Sequence, residues 1–396
     1  MKPAPTRKRP QLAAVLLLSA TVALAGCSTI KGWFDGKEKE SPQAPAELVD
    51  IAPSVTVTRL WTADAGKGEG RLGARQGPVV ADGRVYAAAV RGGITAFDLQ
   101  TGKPVWHHDS ELALAGGPGA GDGLVAAGSL EGDVLVLDAA TGAEKWTAKV
   151  NNEIIAPPVI GQGMVLVRSN DGRVTAFDAA SGERRWFWNH ELPNLTVRGN
   201  DGVLLGPGFV FVGNDDGTMT ALALADGRPL WDATIGEAEG RTELERMADV
   251  DGTPALDGTI LFASSYKRKT TAVDGPSGRV LWQHDAGGPG RVAVSGASVL
   301  VTSPDGVVWA LDKSGGGAFW QQDKLKNRGV SAPAVQGDYA VVGDFQGYLH
   351  WLKLETGEFA ARARVDDAVR AAPVVADGIL VVQDIGGELS AFRLAQ

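Results

Sequence analysis

The sequence predicts an all-β protein, an eight-bladed β-propeller with four antiparallel strands per blade. Three observations predict it: a strand-turn-strand unit that recurs down the chain, a tryptophan that returns every 38 to 51 residues, and an imbalance between the two ends that ring closure resolves. A period near 40 to 45 residues with glycine-bounded strands is the spacing of a propeller blade. A single four-stranded sheet cannot bury both its faces, whereas sheets stacked around an axis bury them and leave only short edges.

The unit is clearest at 92–106. Gly93 to Asp98 alternates as a half-buried strand should, Thr101-Gly102 supplies a tight turn, and the second strand ends on Trp106. Copies place the turn and the aromatic at Thr141-Gly142 and Trp146, Ser181-Gly182 and Trp186, Asp226-Gly227 and Trp231, Ser277-Gly278 and Trp282, and Gly316 and Trp320. A seventh copy has Thr356-Gly357 but Ala361 in the aromatic position, and an eighth begins at Gly387 with no aromatic after it. Trp61 has the opposite defect, since no strand of this kind precedes it. The N-terminal strand around Trp61 is therefore expected to pair with the C-terminal blade and close the ring. Within each period, proline such as Pro78 or Pro333 opens the first strand, where a missing N–H matters least. Asp-Gly pairs at Asp82, Asp122, Asp171, Asp216, Asp251, Asp257, Asp305 and Asp377 read as hairpin turns.

Ahead of the repeats lie two further segments. Residues 1–26 read as a signal peptide: Lys2, Arg7, Lys8 and Arg9 precede the apolar run 12–25, which ends in Leu24-Ala25-Gly26-Cys27. The run is too short for a membrane span. That ending resembles a bacterial lipobox, which implies cleavage before Cys27 and lipidation of it. Cys27 is the single cysteine, so no intramolecular disulfide forms. Several acyl chains on one residue anchor durably, where one would be reversible. Ser28 follows instead of aspartate, which by resemblance to Gram-negative lipoproteins implies sorting to the outer membrane with the body in the periplasm. Residues 27–52, with Lys37 to Glu40 and Ser41 to Pro45, read as the lipidated N-terminus and a flexible tether, leaving 53–396 for the propeller. The net charge of −9 becomes −13 without the four basic residues of the signal, which argues against a nucleic-acid partner.

Signs of chemistry are few, and no catalytic, cofactor-binding or metal-ligating residue is predicted. Gly68-x-Gly70-x-x-Gly73 fits a dinucleotide pattern, but Pro78 and strand residues follow where a helix should open. The histidines (His107, His108, His190, His284, His350) show no His-Glu-x-x-His spacing, and no Gly-x-Ser-x-Gly elbow occurs. Asn214-Asp215-Asp216-Gly217 lacks the alternating ligands and closing glutamate of a calcium loop and reads as a hairpin turn. Seven of the eleven tryptophans share one strand position, which is a packing rule; Trp33, Trp188, Trp309 and Trp351 are left over.

Function is expected where the period is interrupted. Two neighbouring intervals carry extra polar sequence after their tryptophans, at 189–200 and at 236–251. Both follow an outermost strand, so both should emerge side by side on one face of the disc. Leu195, Val197 and Arg198 in the first, with Arg246, Asp249 and Asp251 in the second, combine apolar anchors, guanidinium and carboxylates in the manner of protein hot spots.

The lipobox, the repeats approximating Gly-x-Val-x-Ala-Leu-Asp-x-x-Thr-Gly-x-x-x-Trp and these two insertions together resemble the outer-membrane assembly lipoprotein family of the BamB or YfgL type, over nearly the whole chain. The repeat itself is shared with quinoprotein alcohol dehydrogenases. The resemblance implies a non-enzymatic scaffold of the β-barrel assembly machinery, without cofactor, that binds POTRA domains of a BamA-type barrel subunit and assists insertion of outer-membrane proteins. It leaves room for contact with unfolded barrel substrates. It also implies that Leu195, Val197, Arg198, Asp249 and Asp251 meet the partner, with Val197 standing where the family pattern can have leucine. Two alternatives predict different behaviour: a quinone-dependent (PQQ-type) dehydrogenase with a calcium-assisted anionic pocket and aromatic stacking, or a cell-envelope polysaccharide-binding lipoprotein.

Overall fold

The structure, a computed structural model, describes residues 43–196 and 202–395. They form eight separate four-stranded antiparallel sheets. Blades 1 to 7 run in chain order over 79–108, 114–149, 159–189, 204–234, 255–284, 293–322 and 334–364. Blade 8 takes three strands from 374–394 and its fourth from the other end of the chain. That strand, Val57–Asp64, pairs antiparallel with Glu388–Leu394, from Val57 opposite Leu394 to Asp64 opposite Glu388. The expected ring closure is therefore present.

One device joins blade to blade, and it explains the repeat. The indole Nε1 of Trp61 donates to Leu99 O at 2.9 Å, in the turn between third and fourth strands of the next blade. Trp106, Trp146, Trp186, Trp231, Trp282 and Trp320 repeat the bond at 2.7–3.0 Å to Ala139, Ala179, Leu224, Gly275, Lys313 and Leu354. Each ring lies on the turn glycine of that next blade. A Cβ on Gly182 would stand 2.7 Å from the Trp146 ring, and Gly182 also has φ +73°. Glycine is thus required twice at this position, for its backbone conformation and for the aromatic above it. The turn is tied by the aspartate before it: the Asp98 carboxylate accepts from the Thr101 N–H and hydroxyl at 2.8 and 2.7 Å, and Asp138 and Asp178 do the same. Those bonds hold the Asp98 and Asp138 carboxyls below the ordinary value; at Asp178 the bond from Arg185 is the main cause, with the Ser181 bonds behind it, and the carboxyl falls to about 2.

Six of the seven repeat tryptophans face an alanine of the third strand, as Ala96 faces Trp106 and Ala391 faces Trp61, while Trp146 faces Val136. In blade 7 the pair is exchanged: Trp351 stands in the third strand opposite Ala361. The exchange has a physical cause. Blade 8 takes its fourth strand, Val57–Asp64, from the other end of the chain, so its third and fourth strands are not joined by a turn whose glycine could receive a ring from blade 7. Trp351 is fully buried instead, edge-on to Phe392, and its Nε1 donates to Gln336 Oε1 at 2.8 Å. Gln336 Nε2 in turn donates to Gly378 O and Phe392 O of blade 8, so the seam is still stitched.

The first strands of blades 1, 2, 3 and 8, with the connections leading into blades 6 and 7, line a pocket of about 690 Å³. Residues 73–78 of the 65–78 connection contribute to its lining, and the Gly68 and Gly70 N–H groups donate to Gly386 O and Ile385 O at 2.9 Å. The Gly68-x-Gly70-x-x-Gly73 motif is thus a blade-to-blade loop without a helix, as its sequence context indicated. The Asp-Gly pairs form tight turns at Asp82, Asp122 and Asp377, each with positive φ. Asp251-Gly252 departs from the expectation: it lies in a buried connection, not a hairpin, because the chain there is wedged between neighbouring blades.

Candidate functional site

Both insertions leave the fourth strand of one blade and return to the first strand of the next, so they share a face and flank blade 4 on its two sides. The first joins blades 3 and 4. His190 opens it, stacked on Trp188 with ring centres 5.5 Å apart, and its Nε2–H donates to Asp216 Oδ2 at 2.9 Å. Asp216 belongs to the turn Asn214-Asp215-Asp216-Gly217 between the second and third strands of blade 4, which is a hairpin turn as expected. The bond to Asp216 raises the His190 pKa against the opposing effect of burial. Burial also opposes ionisation of Asp216, but the bonds from His190 and Thr218 outweigh it and hold that carboxyl low. Beyond this pin, Leu192 and Leu195 project into solvent, Leu195 at 42% exposure. Val197 and Arg198 lie outside the described residues, as does Cys27.

The second insertion joins blades 4 and 5 and contains a single helical turn, α1 (Glu243–Arg246). Its sequence dictates that turn: the Thr242 hydroxyl accepts from Glu245 N–H at 3.2 Å, while Glu245 Oε2 accepts from Thr242 and Arg241 N–H at 3.2 and 2.6 Å. Lys267, from a turn of blade 5, donates to the carbonyls of Glu239 and Glu245 and fastens the turn to the disc. Arg246 reaches Gly240 O at 3.0 Å and Glu243 at 3.6 Å. Leu244 stands out from the top of this turn at 66% exposure, the most exposed large apolar residue described. Leu244 falls within the expected insertion 236–251 but, like His190, is not among the expected partner residues; its signal is a lone leucine inside a capped, otherwise charged run.

After the turn the chain dives inward. Asp249 and Asp251 are 0% and 2% exposed, between the blade 4 turn at 214–217 and the blade 5 turn at 265–268. Val250 N–H donates to Asn214 O at 3.0 Å, and Asp249 O accepts from Tyr266 N–H at 2.8 Å. Carboxylate oxygens of Asp215, Asp249 and Asp251 converge within 4.8 Å, and Arg168 of blade 3 reaches Asp215 at 3.4 Å. Burial, then the charges of Asp249 and Asp215, push the Asp251 carboxyl well above the ordinary range. Three carboxylates so placed could in outline ligate a cation, but Arg168 already brings positive charge to them, and the cluster sits at the root of the insertions, not at the surface. Solvent is reached by Leu192, Leu195 and Leu244, and around α1 by Glu237, Glu239, Glu243 and Glu245 together with Arg241 and Arg246.

The quinone alternative requires carboxylate and aromatic groups in the pocket among the first strands. The described lining of that pocket is Gly, Pro, Ala and aliphatic residues with Arg75, Arg291 and Arg370, and it presents no carboxylate for calcium and no aromatic plate. Arg75 and Arg370 are occupied across the mouth, donating to Pro289 O and Gly70 O. The lining does not fit a stacked quinone held by calcium.

Comparison with known proteins agrees with this geometry. A family model described as outer membrane protein assembly factor BamB matches residues 51–113, 90–322 and 304–395. The outer membrane protein assembly factor BamB of Xanthomonas campestris is 57% identical over the whole of both chains. The crystal structure of BamB from Moraxella catarrhalis superposes with a TM-score of 0.78 at 27% identity, covering 85% of this chain and all of that one. A europium-containing methanol dehydrogenase shares the fold alone, at 14% identity and a TM-score of 0.71, over 87% of this chain and 95% of its own.

Proposed function

Because the chain belongs to the outer membrane protein assembly factor BamB family, we propose that it works as a lipid-anchored, non-catalytic scaffold of the outer-membrane β-barrel assembly machinery, holding periplasmic POTRA domains of the barrel subunit. Residues 1–26 are removed as the signal, Cys27 carries the lipid, and the propeller stands in the periplasm.

One observation carries the proposed site: two adjacent connections present leucines to solvent on a frame whose polar roots are buried. Leu195 and Leu244 supply the apolar anchors, Arg246 shares the helical turn of Leu244, and Val197 and Arg198, which follow Leu195 in sequence, complete the proposed set. Fully burying a leucine is worth about 1.5–3 kcal/mol, so the two anchors together contribute about 3–6 kcal/mol toward a contact that the rest of the face must complete. Attachment of both partners to one membrane raises their local concentration and makes a modest contact effective. In this reading Asp249 and Asp251 act on the partner indirectly, by fixing the path of the second insertion.

The test is a pull-down of the soluble propeller against the POTRA domains of the barrel subunit, with Arg198→Ala and Asp249→Ala, each checked for an unchanged melting temperature. Loss of capture in both supports the site. Full capture by every variant sinks it.

A further inference from the structure

The N-terminal segment just before the ring is docked, and where it docks decides how the disc hangs. Ala46 N–H donates to Lys326 O at 2.9 Å, and Arg328 Nη1 donates to Ala46 O at 3.0 Å. Arg362 Nη1 donates to Val49 O at 3.1 Å, and Ser54 N–H to Ala360 O at 2.8 Å. Leu48 packs on the core between blades 6 and 7, and Val55 on that between blades 7 and 8. Residues 46–56 therefore run as a strap down the outer edge of blade 7, covering the free edge of Phe359–Arg364.

The arginines that hold the strap are themselves held. Arg328 is buried, and its Nε and Nη2 meet Asp344 Oδ2 at 2.8 and 2.7 Å, while Nη2 also donates to Gln346 Oε1 at 2.6 Å. His350, with no exposure, donates through Nε2 to the same Asp344 oxygen at 3.2 Å and accepts at Nδ1 from Arg362 Nε at 3.2 Å. An ordered guanidinium aimed at a backbone carbonyl is a fixed donor, and two of them grip the strap.

Topology gives the direction. In antiparallel blades every connection from a fourth strand to the next first strand lies on one face, and the turns between third and fourth strands lie on the other. Lys326 and Arg328 sit in the connection between blades 6 and 7, the same class of connection as the two insertions. The outer end of the strap is thus on the insertion face. From Cys27 to Ala46 the chain spans at most about 65 Å, and release of the strap as far as Val57 would lengthen that limit to about 105 Å.

We propose that the strap fixes the point from which the lipidated N-terminus leaves the disc, so that the face carrying Leu195 and Leu244 turns toward the membrane and receives a partner domain lying between disc and lipid. The inference rests on lipidation at Cys27 and on the docking face proposed above. Its test separates from theirs, because it reads orientation without any partner.

Lipidated full-length protein in phosphatidylethanolamine–phosphatidylglycerol vesicles is labelled at Asp366→Cys, on the insertion face of blade 7, or at Glu355→Cys, on its opposite face. A fluorophore at each is read against a lipid headgroup quencher; lipidated Cys27 leaves the new thiol as the only free one. Quenching at least about twofold stronger at 366 than at 355 is expected, and a strap variant (Ala46→Pro, Leu48→Ser, Ser54→Pro) is expected to abolish the difference without altering any blade. Equal or reversed quenching in the native strap, or a difference that survives in the variant, overturns the proposal. Protein that fails to bind vesicles at all points instead to failure of the lipid anchor.

Discussion

At the scale of single residues, the molecule depends on an indole and a glycine that belong to different blades. Trp146 lies on Gly182, leaving no room there for a Cβ, and the positive φ of Gly182 separately disfavours any other residue. Trp146→Ala is expected to cost about 3–5 kcal/mol. Gly182→Ala, a change of one methyl, is expected to cost at least ~1–3 kcal/mol from backbone conformation alone. Urea denaturation checks both, and an unshifted midpoint in Gly182→Ala would contradict the contact. The His190–Asp216 pin gives a pH dependence whose sign is fixed. His190 is raised above its ordinary 6.5, so its contribution is complete below that value and is lost as pH rises through the higher folded value. Asp216 is lowered from 3.8, so its contribution is complete above that value and is lost as pH falls through the lower folded value. The pin is whole between those two ordinary values and loosens on the alkaline side. Amide exchange at 190–192, corrected for intrinsic pH effects, should accelerate above pH 6.5 in the native protein and show no such step in His190→Gln.

At the scale of elements, blade 7 shows what periodicity can and cannot reveal. The repeat announced eight blades, the turn chemistry and the closing strand, because each of those is written in residues that recur. Ala361 stood out as a missing aromatic, yet its replacement by Trp351 was hidden, since it depends on which third-strand residue lies opposite and on blade 8 having no turn between its third and fourth strands. The burial of Asp249 and Asp251 was hidden for a related reason: a connection has no period, so its inward path is set by the turns at 214–217 and 265–268. The strap was hidden because backbone carbonyls, which any sequence carries, receive its arginines. The exchange at blade 7 predicts an asymmetry. Trp351→Ala should destabilise by about 3–5 kcal/mol, and adding Ala361→Trp should not restore it, because blade 8 offers that ring no glycine. Recovery of the native midpoint in the double variant would contradict the seam described here.

At the scale of the whole molecule, eight sheets that bury their faces only against one another make a disc whose last contact joins residues more than 320 positions apart, such as Val57 and Leu394. The rigid product is a frame on which two short insertions are held in fixed relation, and the function proposed for it needs nothing more than that. The most direct measurement is the affinity of the POTRA domains for the soluble propeller carrying Leu195→Ala and Leu244→Ala together, at unchanged melting temperature. A loss of at least about tenfold, or roughly 1.4 kcal/mol, is the predicted result; an affinity equal to that of the native protein would contradict it.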